Sequence, residues 1–202
     1  MNTPTSDFDL KIVYIMPMDD LLAGKHFRNE EYKVRDPRTN DVRVDITYIE
    51  VANFIGQLKE CNTNAYVQLF SPMVRFPAAM KPLVDELRAI AMENFSRGIK
   101  HSLLGIIKNT IARGQQNQPK RRKLCLRLLR TVESAMDAGK WTFDPVAEDV
   151  SEADLERYLV EFKNKVERSS LPEKPTAADK FDAFVVRLRR LVDSAERSAH
   201  LL

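Results

Sequence analysis

Near Tyr48 the hydrophobic pattern changes its period, and that change limits what this chain can fold into. Before it, Lys11-Ile12-Val13-Tyr14-Ile15 and Val42-Arg43-Val44-Asp45-Ile46-Thr47-Tyr48 are dense in β-branched residues and read as strands. After it, Ile49, Ala52, Phe54, Ile55 and Leu58 recur at the 3.6-residue spacing of a helix. Every later pattern is helical. The expectation is an α+β chain: a small mixed sheet with flanking helices over residues 1–72, followed by an α-helical domain over 73–202.

Punctuation along the chain refines this. Asp36-Pro37-Arg38-Thr39-Asn40-Asp41 is a strong turn signal, so Glu31 to Arg35 and Val42 to Tyr48 are expected to pair as a hairpin. Asn62-Thr63-Asn64 caps a short helix, Ala65 to Phe70, that stops at Ser71-Pro72. From Leu83 to Ile111 apolar residues keep helical spacing through one long segment, with Gly98 and Gly105 as points of bending. A third long helix runs from Arg121 to Ala138 and ends at Gly139. Trp141 and Phe143 beyond it read as a hydrophobic anchor. Ser151, with Glu152 and Asp154, opens a helix to Ser169, and Thr176 is expected to cap the last one.

With 202 residues, 44% of them hydrophobic and 30% charged, the chain can bury a real core. No apolar run reaches the ~20 residues of a membrane span and the N-terminus lacks a signal-peptide pattern, so no membrane partner and a cytoplasmic location are expected. Cys61 and Cys125 stand apart and read as buried thiols. His26, His101 and His200 lack metal-ligand spacing, which argues against zinc.

The chemistry-bearing feature is Asp7-Phe8-Asp9. On a strand, residues i and i+2 project to one face, so the two carboxylates would stand together and repel unless a cation lies between them. Hard oxygen donors suit Mg²⁺. Asp45 faces away from the apolar set of its strand, either as a solvent-side residue or as a third carboxylate beside the first two. Positive charge gathers mid-chain in Lys120-Arg121-Arg122-Lys123, Arg127 and Arg130, although the net charge is only +3. Lys123, Arg127 and Arg130 share one helical face and suit a triphosphate or an acceptor nucleic acid.

Taken in order, three blocks resemble the polymerase-β-type minimal nucleotidyltransferases of the YcgL-like, RNA-repair group. Thr3-Pro4-Thr5-Ser6-Asp7-Phe8-Asp9-Leu10 looks like that family's T-P-x-S-D-x-D motif. Val44-Asp45-Ile46-Thr47-Tyr48-Ile49-Glu50 looks like its third-carboxylate strand leading into a helix. Asn62 to Pro72 looks like its N-P-x-x-x-E-x-L-x-S-P block, with Thr63 and Gln68 where the family often has Pro and Glu. The family's Gly-Ser phosphate cradle would lie before Met1. The resemblance implies a nucleotidyltransferase-type sheet. It also implies transfer of a nucleoside monophosphate from an NTP to a hydroxyl, with Asp7, Asp9 and Asp45 holding Mg²⁺ and Ser6 steadying the phosphates. RNA, DNA or a protein side chain are the acceptors to be weighed. A chain without its cradle would alternatively serve as a binding or regulatory module.

Overall fold

The computed structural model describes residues 8–25, 30–112 and 118–199. Strands β1 (Phe8–Tyr14), β2 (Glu30–Arg35) and β3 (Val42–Glu50) form one sheet in the order β1-β3-β2. Helix α1 (Met18–Leu22) follows β1. The helices after β3 are α2 (Val51–Lys59), α3 (Thr63–Phe70), α4 (Lys81–Asn94), α5 (Ile99–Ala112), α6 (Gln118–Ala138), α7 (Glu152–Arg168) and α8 (Ala178–Ala199). The α+β class implied by the change of period is the observed one. The chain divides into two compact units, residues 1–56 with 182–202, and residues 57–181. No described helix is long and apolar enough to cross a membrane.

In the first unit β1 runs parallel to β3 and β2 antiparallel to it. The hairpin forms where the turn residues place it. Asp36 Oδ1 accepts the Arg38 N–H at 2.8 Å, the Arg43 guanidinium reaches Oδ2 at 2.9 Å, and Asn40 takes φ +60°. These donors, the Arg38 N–H first, hold the Asp36 carboxyl below the usual carboxylate range. The apolar residues buried in this unit are Met16, Ile49, Val51, Phe54, Ile55, Phe184 and Leu188. The strand pattern is less covered than alternation implies. Leu10 and Ile12 of β1, and Tyr32 and Val34 of β2, are exposed, whereas their in-register partners on the central β3 are half-buried. Among the described residues β1 and β2 each have a sheet neighbour on one side only, so the middle strand gains shelter that the two edges lack.

The second unit is helical and is tied by buried polar groups. Tyr66 is fully buried, and its ring lies 5.5 Å from that of Trp141, which also stacks on Phe70 at 5.2 Å and an interplanar angle of 9°. Trp141 is therefore the anchor its position after Gly139 implies. Gly139 itself ends α6 at φ +64°. Ser151 caps α7 in a reciprocal capping box with Asp154. Both thiols are free and buried, and burial pushes that of Cys125 up to about 11.

Two expectations are corrected. The long helix over Leu83 to Ile111 is two helices, broken at Phe95, which is extended. Polar side chains there outcompete the helix. The Asn94 amide donates to the Leu58 and Lys59 carbonyls at 3.0 and 3.2 Å, and Ser96 Oγ accepts the Gly98 N–H at 3.3 Å. Thr176 does not cap α8. Its hydroxyl donates to the Glu93 carbonyl, and Ala177 precedes the helix with its N–H on Asn94 Oδ1 at 3.0 Å.

Asn94 thus bonds three backbone groups from distant parts of the chain; without it the buried Ala177 N–H loses this acceptor, whereas the Leu58 carbonyl still accepts the Cys61 N–H. Asn94→Ala is expected to cost about 2–4 kcal/mol, from one buried N–H left without this acceptor together with two lost hydrogen bonds to carbonyls. Urea unfolding followed by Trp141 fluorescence measures it. A loss below about 1 kcal/mol would show the site relaxing freely.

Candidate active site

Register decides which charged side chains share a face. Asp9 of β1 lies opposite Asp45 of β3, and Lys33 of β2 lies opposite Asp45 from the other side. In-register residues of adjacent strands project to the same face, so Asp9, Asp45 and Lys33 form one row across the sheet. Lys33 Nζ stands 3.8 Å from Asp45 Oδ2. Asp45 Oδ1 is buried and has no hydrogen-bond partner among the described residues. An oxygen in that state carries an uncompensated desolvation cost unless something polar or cationic meets it.

The donor set of two carboxylates on neighbouring strands, one with an orphaned buried oxygen, fits a hard cation such as Mg²⁺. Asp7 and Ser6, the other residues expected here, lie outside the described residues. Among the described residues no three His, Cys, Asp or Glu side chains gather as a metal cluster.

The basic residues expected to meet phosphates lie on α6, in the helical unit. Lys123 pairs with Asp149 at 2.9 Å and Arg130 with Glu148 at 2.6 Å, both acids belonging to the connector after α6. Arg127 is exposed, and its side chain makes no hydrogen bond or ion pair with any described residue. His101 is exposed on α5. A recess of about 630 Å³, lined by Asp137, Glu161, Lys165 and Arg168 among others, holds none of the expected site residues.

Residues 1–188 match the family model described as RlaP, the RNA repair pathway DNA polymerase beta family. The chain belongs to that family. No curated protein and no solved structure matches it. The family match spans nearly the whole chain, so it takes in the carboxylate strands and the basic helix alike.

One element of this RlaP-family head escaped sequence reasoning. Glu50, the last residue of β3, accepts the Ala52 N–H at 2.7 Å and so starts α2 without a loop. Its other oxygen receives Arg189 Nη2 of α8 at 2.9 Å, with side chains only 7% and 13% exposed. Arg189 Nη1 is buried and has no hydrogen-bond partner among the described residues. Tyr14, in register with Glu50, has its phenol pKa raised by burial first and then by Glu50 and Glu30. The only sequence signal was a charged residue, Glu50, at the strand-to-helix junction. Its partner is 139 residues away.

Breaking a buried ion pair from one side is expensive. Arg189→Met is expected to lower stability by about 3–5 kcal/mol, and adding Glu50→Gln should recover much of that by removing the stranded charge. Denaturant unfolding followed by circular dichroism checks both. A double variant no better than the single one would mean that lost packing, not the stranded charge, sets the cost.

Proposed function

We propose that this chain transfers a nucleoside monophosphate from an NTP to a hydroxyl of a nucleic acid, with an RNA end as acceptor. The observation that carries the reading is the in-register pair Asp9 and Asp45, one of whose oxygens is buried and has no partner among the described residues. Membership of an RNA-repair polymerase-β family supports the same chemistry.

In the transfer, a bond forms between the acceptor oxygen and the α-phosphorus, the bond to pyrophosphate breaks, and the hydroxyl proton passes to solvent. Asp9 and Asp45, with Asp7, would hold Mg²⁺, which when bound supplies positive charge for the entering and leaving oxygens of an in-line displacement. The chain's own part is positional. Strand pairing sets the spacing of the two carboxylates, and Lys33 restrains one oxygen of Asp45, leaving the other available. Ser6 would steady the phosphates through its hydroxyl.

The test is incubation with each labelled NTP, Mg²⁺, and an RNA, DNA or protein acceptor. Label is expected on RNA, lost on chelation by EDTA. Asp9→Asn and Asp45→Asn should each reduce transfer by more than about a hundredfold, exceeding the usual cost of losing an outer-shell partner of a metal. Absence of pyrophosphate release with every NTP, together with no Mg²⁺ or NTP binding, would assign the chain to a binding or regulatory role. Label on a protein acceptor alone would keep the transfer and replace the substrate.

A further inference from the structure

The basic face of α6 is already occupied, by this chain's own acids. Lys123, Arg127 and Arg130 fall at i, i+4 and i+7 and so share one side of the helix, with exposed Lys120 beside them. The connector that returns from Gly139 to Ser151 carries no helix or strand over residues 140–151, and it runs past this face. Its backbone is fastened from below. Val150 is buried, its carbonyl accepts Arg122 Nε at 2.6 Å, and the Ala147 carbonyl accepts from Lys123 at 3.4 Å. Its carboxylates are not fastened. Asp149, 97% exposed, reaches Lys123, and half-exposed Glu148 reaches Arg130. The middle cation, Arg127, is left without a described partner.

This arrangement copies a phosphate backbone with carboxylates. Seven helical residues span about 10 Å, longer than a triphosphate and suited to successive phosphates of an extended strand. Arg130 is held in place by the Tyr158 ring, whose centroid lies 5.8 Å away. Arg157 approaches that ring at 5.6 Å, beside a recess of about 170 Å³ that Tyr158 lines with Glu148 and Asp149. Exposed ion pairs are solvated and screened, so they bind their partners weakly and exchange readily. A stronger, multivalent anion can take the cations by side-chain rotation alone, with the anchored backbone unmoved.

We propose that the α6 face formed by Lys123, Arg127 and Arg130 docks the phosphodiester backbone of a nucleic-acid strand. Glu148 and Asp149 are its internal competitors, which the strand must displace. The acids cancel two of the face's three charges, which weakens its hold on short anions and favours a polyanion that offers several phosphates at once. The inference rests on the reading of a nucleic acid as acceptor. It is measured by binding alone, without Mg²⁺ or NTP, so failure of transfer and failure of docking are separate results.

The experiment is fluorescence anisotropy of the full chain with a labelled single-stranded RNA oligonucleotide of mixed sequence across a salt series. ATP, a DNA duplex and polyglutamate serve as unlabelled competitors. Glu148→Gln with Asp149→Asn is expected to tighten RNA binding about tenfold at low salt. It should also steepen the dependence of log K on log salt by about one to one and a half, two phosphate contacts at ~0.7 each. Arg127→Ala should weaken binding several-fold and lower that slope by about 0.7. RNA should outcompete ATP and polyglutamate, and competition by duplex DNA would identify the backbone, not the single strand, as what is read. Unchanged affinity in the double variant would overturn the proposal, as would equal gains for polyglutamate. If the double variant fails to fold, Arg127→Glu decides: RNA binding indistinguishable from wild type would overturn it.

Discussion

The side-chain amide of Asn94 is the interaction on which the helical unit most depends. It sits fully buried where α4 ends, and a buried amide must spend both its donors and its acceptor or destabilise the fold. Here the donors close the carbonyls of Leu58 and Lys59 at the end of α2, and the acceptor takes the N–H of Ala177 before α8. Cys61, itself at φ +53°, adds its thiol to the Asn94 carbonyl at 3.2 Å. Asn94 thereby ties the end of α2 and the start of α8 to the end of α4, where its own carbonyl goes to the Cys61 thiol and the Arg97 N–H goes to the Pro172 carbonyl instead of continuing the helix. The break at Phe95 is where these segments are joined.

The head unit solves a different problem, that of carrying like charges on adjacent strands. A parallel ladder fixes the Asp9 to Asp45 pairing, so neither carboxylate escapes the other by sliding a residue without turning every side chain to the opposite face. Lys33 compensates one oxygen from the far strand. The remaining demand for positive charge falls on Asp45 Oδ1. At the other end of β3 the same strand is held by Glu50, whose carboxylate both starts α2 and meets Arg189. In the proposed reaction this matters because the carboxylate row can be no better positioned than the strand that carries it.

Much of this was legible from local pattern. Alternation and the Asp36 to Asp41 turn gave the hairpin, the change of period gave the β3-to-α2 junction, and Ser151 and Gly139 marked helix ends through their own backbone chemistry. What pattern could not supply was any partner far away in sequence. The apolar spacing across Phe95 and Ile99 is good helical spacing, and the helix stops where distant groups claim its backbone: the Asn94 carbonyl accepts the Cys61 thiol and the Arg97 N–H donates to the Pro172 carbonyl. Thr176 looked like a cap by residue type, yet the Glu93 carbonyl 83 residues away claims its hydroxyl. The Glu50–Arg189 pair was invisible for the same reason. Sequence pattern offered Asp45 either as a solvent-side residue or as a carboxylate beside Asp9, and the register between β1 and β3 sets the two side by side.

Charge shows the same limit from the other side. Counted along the sequence, residues 120–130 are a dense basic run and residues 144–161 an acidic one, and the sum is nearly neutral. Folded, the two runs are not separate patches. Arg122 and Lys123 spend donors on the carbonyls of Val150 and Ala147, while Glu148 and Asp149 neutralise Arg130 and Lys123. These partners also hold both carboxyls below their usual range. For Glu148 its own backbone N–H leads and Arg130 follows, and for Asp149 the lead is Lys123. The acids therefore stay ionised into mildly acidic solution, and Lys123 and Arg130 stay paired there. A basic face with most of its charge already paired has reduced long-range attraction for small anions. It can still bind a ligand that brings enough charge to replace its carboxylates together, because each exposed pair is weak while the sum of phosphate contacts is not. The same residues that make the run look like an ordinary solvated surface thus give it a preference for length.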